Sequence, residues 1–118
     1  MRPVTTGTEW LIDAHGCAPE RLRDAARLRA LLDDVVARLG LTVLGSPQWH
    51  TVPGEGGVTG LYLLSESHLT VHTYPEHGFA ALNLYCCRPD VQPDLRALVA
   101  DALRAERVTV REQPRGAA

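Results

Sequence analysis

The chain has 118 residues, 45% hydrophobic and 22% charged, which fits one globular domain with a small core and excludes a disordered or fibrous chain. Its formal charge of -2 leaves no basic footprint for nucleic acid, and no apolar run approaches the length of a membrane span. Met1 to Gly7 lacks the apolar centre of a secretion signal, and Cys17, Cys86 and Cys87 make a poor disulfide framework, so a cytoplasmic chain with reduced thiols is expected.

In chain order, Thr8 to Ala14 alternates around Trp10 and Ile12 and reads as a first strand, with His15-Gly16-Cys17 as a turn. Pro19 opens a helix, because proline is tolerated in a first helical turn. Leu22, Leu28, Leu32, Val35, Val36 and Leu39 give it one apolar face, and Gly40 ends it. Leu41 to Leu44 reads as a second strand. Gly45 to Gly57 reads as a glycine- and proline-rich loop around a short strand at Trp49-His50-Thr51. Val58 to Leu64 and Leu69 to Tyr74 read as consecutive strands flanking Ser65-Glu66-Ser67-His68. Glu76-His77-Gly78 is a turn and Phe79 to Cys86 a further strand. Pro93 begins a second helix with Leu95, Leu98, Val99, Ala102 and Leu103 buried, and Arg107 to Glu112 is the last strand. The expected fold is α+β, a two-layer sandwich of one mainly antiparallel sheet with two helices on one face, in a single domain spanning residues 1–118. The other face then needs a cover, for which a second protomer is the candidate.

Reactive side chains concentrate between Ser65 and Gly78, which holds three histidines and two glutamates among strand segments. Polar groups in such a setting point to a site, because burying them is costly unless something offsets the cost. There is no Cys-x-x-Cys, His-Glu-x-x-His or glycine-rich phosphate loop, so no metal site is expected. The chain contains no lysine, which excludes a lysine Schiff base to pyridoxal phosphate. Taken singly, Ser67 reads as a turn serine, His72 as a core histidine, and Cys87 as a small buried hydrophobe.

Taken together they read otherwise. The run Glu66-Ser67-His68, then His72-Thr73-Tyr74-Pro75-Glu76, is preceded by Val58-Thr59-Gly60 and followed by Ala80 to Cys87. It resembles the short prokaryotic S-adenosylmethionine decarboxylase proenzymes. Asp13-Ala14-His15-Gly16-Cys17 and Arg107 to Arg111 extend the resemblance from Gly7 to Gly116. It implies a pyruvoyl cofactor made from Ser67, which would bind substrate as a Schiff base. Self-cleavage after Glu66 would give a β chain of residues 1–66 and an α chain of 67–118. The resemblance also assigns His72 and Thr59 to processing, Cys87 to proton donation, and Tyr74 and Glu76 to the substrate. Val52 or Pro53 falls near a family aromatic that stacks on adenine, and Trp49 is a candidate replacement for it.

The implied enzyme is a decarboxylase of S-adenosylmethionine, whose product is the aminopropyl donor of polyamine biosynthesis. It is expected as a homodimer of αβ units with sheets face to face, taking a small-molecule substrate. Where the family has aspartate, threonine and glycine, this chain has Asn83, Cys86 and Arg88. These departures leave the self-cleavage residues intact and bear on the substrate, so a pyruvoyl-dependent decarboxylase of arginine or ornithine is a second reading; a non-cleaving regulatory homologue is a third, of a different class. On a regular strand Ser67 and His72, five residues apart, face opposite ways. A bulge, a turn, or a place at the strand end is therefore expected at Ser67.

Overall fold

A computed structural model describes residues 6–88 and 94–116. Six strands form one sheet: β1 (Gly7–His15), β2 (Gln48–Thr51), β3 (Val58–Leu64), β4 (Ser67–Tyr74), β5 (Phe79–Cys86) and β6 (Arg107–Arg115). Their order is β2-β3-β4-β5-β1-β6, and every pairing is antiparallel. Strands β2 to β5 follow one another as a meander, and β1 lies between β5 and β6. No helix among the described residues is long and apolar enough to cross a membrane.

Strand alternation decides which face is buried. Trp10, Ile12 and Ala14 of β1, Tyr62 and Leu64 of β3, Leu69 and Val71 of β4, and Leu82 and Leu84 of β5 join one core with Leu28, Leu32, Val35, Val99 and Leu103 of the helices. Each fully buried leucine contributes roughly 1.5–3 kcal/mol relative to exposure. Tyr62 brings its hydroxyl to the core edge, where it donates to Asp33 Oδ1 at 2.7 Å; burial first, and that acceptor second, push its pKa up to about 12. Burial likewise raises the Cys17 thiol to about 11, which leaves it unreactive at neutral pH.

The segment expected as one helix from Pro19 is two: α1 (Pro19–Leu22) and α2 (Ala25–Leu39). The break is a cap, since Asp24 is extended and its side chain accepts the Arg27 N–H at 3.1 Å. Gly40 ends α2 in the left-handed region, as the sequence implied. The expected strand Leu41–Leu44 reduces to a single bridge, Val43 to Leu64. The physical reason is competition for the edge of β3: β2 pairs with Val58 to Leu61, leaving only the far end open. There Leu44 N–H donates to Leu63 O, and Ser65 N–H donates to Thr42 O. The third helix, α3, runs Arg96–Leu103; Pro93, expected at its start, lies outside the described residues.

Candidate active site

The strand β4 begins at Ser67, two residues earlier than the alternation suggested. Ser65 and Glu66 alone form the turn from β3, with Leu64 opposite Ser67. Pairing of β4 with β5 is continuous from Ser67–Cys86 to Tyr74–Phe79, so no bulge intervenes. Ser67 instead occupies the strand end. Its side chain shares the core face with Leu64, Leu69 and Cys86, whereas His72 lies on the open face.

The residues singled out from the sequence therefore form two groups. In the first, the Glu66 carbonyl oxygen accepts a hydrogen bond from the Cys87 backbone N–H at 3.3 Å. Ser67 Oγ is buried with no hydrogen-bond partner among the described residues. An orphaned buried hydroxyl is uncommon enough to require a reason. Here it belongs to the residue whose amide closes the bond to that same carbonyl. Cys87 is exposed, while Cys86 is buried and its Sγ accepts the Arg88 N–H at 3.4 Å. The Arg88 guanidinium donates to Gly40 O at 2.9 Å, which places its charge at the C-terminal end of α2.

The second group lies on the open face. Thr59 and His72 are directly opposed across β3 and β4, and Thr59 Oγ1 and His72 Nδ1 share a hydrogen bond of 3.1 Å. They line a cavity of about 280 Å³ together with Val52, Pro53, Glu55, Gly57, Thr73, Tyr74 and Glu76. Thr73 fixes its floor: its buried hydroxyl donates to Leu22 O at 2.7 Å and accepts the Val58 N–H at 2.8 Å, tying α1, β3 and β4 together. Tyr74 stacks on Phe79 with ring centroids 5.8 Å apart. A larger groove of about 550 Å³ lies between α2 and α3 and holds none of the predicted residues.

Trp49 does not line the cavity. Its ring lies over Gly60, where a Cβ would come within 2.6 Å of it, and meets Tyr62 edge-on with centroids 5.9 Å apart. That is the helix side of the sheet, so Trp49 serves the core's edge. Glu55 was passed over by sequence reasoning although it lines the cavity. The available signal was its being the one carboxylate in the loop between β2 and β3.

Asn83 has a local explanation. Its amide donates to Glu9 Oε2 at 2.7 Å, and Arg115 donates to Glu9 Oε1 at 2.9 Å. An aspartate at position 83 would face another carboxylate across that contact. Asn83 is the main cause, ahead of Arg115, that holds the Glu9 carboxyl below its ordinary 4.5 against the opposing effect of burial. A depressed folded pKa stabilises above the unfolded value and loses that contribution as pH falls through the folded one. Replacing Asn83 with leucine is therefore expected to lower the urea midpoint at neutral pH and to shrink the gap to wild type below about pH 4.5. Denaturation series from pH 7 to pH 3 check this, and parallel curves would contradict it.

Residues 8–116 match the S-adenosylmethionine decarboxylase family. The chain is 41% identical over 105 residues to the S-adenosylmethionine decarboxylase proenzyme of Symbiobacterium thermophilum, covering 89% of this chain and 76% of that one. It is 38% identical over 106 residues to the proenzyme of Parasynechococcus marenigrum, covering 89% and 81%. The crystal structure of the adenosylmethionine decarboxylase from Aquifex aeolicus superposes with a TM-score of 0.79 at 28% identity, covering 95% of this chain and 92% of that one. With nearly its whole length matched in sequence and in fold, the chain belongs to the S-adenosylmethionine decarboxylase family.

Proposed function

We propose that this chain is a proenzyme that cleaves itself between Glu66 and Ser67, carries the resulting pyruvoyl group at the head of residues 67–118, and decarboxylates S-adenosylmethionine. The observation that carries this reading is the orphaned Ser67 Oγ, next to a Glu66 carbonyl already held by the Cys87 amide. The residues present fit such a group. A hydroxyl without a competing partner among the described residues is available as nucleophile, and an N–H directed at the acyl oxygen stabilises the negative charge that develops there.

The steps follow from the atoms. Ser67 Oγ adds to the Glu66 carbonyl carbon, the C–N bond breaks, and an ester replaces the peptide. Loss of the Ser67 α-proton with cleavage of its Cβ–O bond releases residues 1–66, ending in the Glu66 carboxylate. Hydrolysis of the remaining dehydroalanine, with loss of ammonia, leaves the pyruvoyl group. Its carbonyl supplies an electron sink bonded to the substrate nitrogen. Cys87, exposed and linked through its backbone to the cleavage site, holds the proton that returns to the decarboxylated carbon. Tyr74, Glu76 and Val52 line the space for the substrate.

His72 does not reach this bond within one chain. At ~3.3 Å per residue, five strand positions separate it from Ser67 by about 16 Å, whereas proton transfer needs contact at hydrogen-bond distance. A second copy, docked on the open face, supplies the Thr59–His72 pair to the first copy's Glu66–Ser67 bond. That face exposes Leu61 at 44%, Leu63 at 62% and Tyr74 at 41%, an apolar surface suited to a homodimer with sheets face to face. The cavity volume, below the usual ~300 Å³ minimum for small-molecule sites, also suits half of a shared site.

The relatives' shared name favours S-adenosylmethionine over arginine or ornithine, and an active proenzyme over a non-cleaving homologue. Release of labelled carbon dioxide from each of the three carboxyl-labelled compounds tests this. Release from S-adenosylmethionine alone is expected, and release from arginine or ornithine alone would refute it. In the same assay Cys87→Ala is expected to be fully cleaved yet to turn over about 10²–10⁴-fold more slowly, the usual loss on removing a proton donor. Unchanged turnover would remove Cys87 from that role.

A further inference from the structure

The loop between β2 and β3 is held in place at two points. Val52 N–H donates to Gly57 O at 2.6 Å, which closes its base. Arg23, at the break between α1 and α2, donates from Nε to the Glu55 carbonyl oxygen at 2.9 Å. Between these points the chain turns through left-handed Gly54 and Gly56, with φ of 88° and 79°. Glu55 is thereby carried on a pinned loop in the lining of the cavity that holds Thr59, His72 and Glu76. Among the described residues, that cavity has two acidic residues, Glu55 and Glu76, and no arginine in its lining.

S-adenosylmethionine carries a sulfonium and an ammonium against a single carboxylate, so it enters with a net positive charge. Once the ammonium nitrogen is engaged in the chemistry, the sulfonium is the charge that remains for the pocket to read. We propose that Glu55 is a specificity-determining residue, its carboxylate reading the positive sulfonium centre of the substrate. This rests on the S-adenosylmethionine reading above. An anionic wall lowers the energy of a cation in a partly desolvated cleft and gives nothing to a neutral thioether of the same shape. Arg23 is the positioning residue for that wall, through the Glu55 backbone.

Glu55→Gln tests the proposal with processed enzyme and two probes: S-adenosylmethionine, and S-adenosylhomocysteine, a thioether without the sulfonium charge. The expected result is a KM for S-adenosylmethionine raised about tenfold, a kcat within about twofold of wild type, and an unchanged inhibition constant for the thioether. Glu55→Asp, which keeps the charge, is expected to recover most of the KM. Equal weakening of both probes would mean only a disturbed loop and would overturn the proposal, as would an unchanged KM. Absence of S-adenosylmethionine turnover in the wild-type protein would instead bring down the functional reading itself.

Discussion

Ser67→Ala leaves the chain in one piece and abolishes decarboxylation. The hydroxyl supplies both the nucleophile that attacks the Glu66 carbonyl and the Cβ–O bond whose breakage releases residues 1–66, so no weaker route through the same atoms remains. The variant should nevertheless fold. Ser67 Oγ is buried without a hydrogen-bond partner among the described residues, so removing it takes away an uncompensated polar atom. Its loss is expected to be neutral, or to stabilise the uncleaved chain by up to roughly 1 kcal/mol. A denaturing gel and a thermal melt read the two parts separately. One full-length band with an undiminished melting temperature is expected; two bands would refute the assignment of Ser67.

The second large effect concerns how the site is assembled. His72→Ala alone is expected to stall processing, because the base that takes the Ser67 α-proton is lost. Co-expressed with Ser67→Ala, it should be rescued. In a mixed dimer the Ser67→Ala chain contributes an intact His72 to the site containing the other chain's Ser67. With equal expression and random pairing, about a quarter of all sites are intact. Differently tagged chains then show cleavage of the His72→Ala chain only. No cleavage in the mixture would place the whole site within one protomer and contradict the shared arrangement.

Much of the fold was legible because strand alternation and helical spacing depend on burial alone. The bounds of β3 and β5 were read residue for residue from their apolar runs, and Gly40 from its place after Leu39. Two features were hidden for a physical reason. The break at Asp24 depends on a side chain capping the backbone, which competes with a continuous apolar stripe that does not register it. The fate of Leu41–Leu44 depends on which strand takes the edge of β3, a contest between distant segments. The site divides similarly. Its residue types could be read from one run of sequence, but the separation of Ser67 from His72 needed the observation that β4 is regular to its first residue. Asn83, a departure from the family pattern, became intelligible only once Glu9 was found within hydrogen-bond reach of it, diagonally across β1 and β5.

Breakage of the Glu66–Ser67 bond to form a pyruvoyl group is read directly by the denatured intact mass of the purified wild-type chain after reductive trapping with S-adenosylmethionine. Two fragments are expected, residues 1–66 unmodified and residues 67–118 bearing a pyruvoyl-derived N-terminus with a covalent substrate adduct. A single mass for the uncleaved 118-residue chain would contradict it.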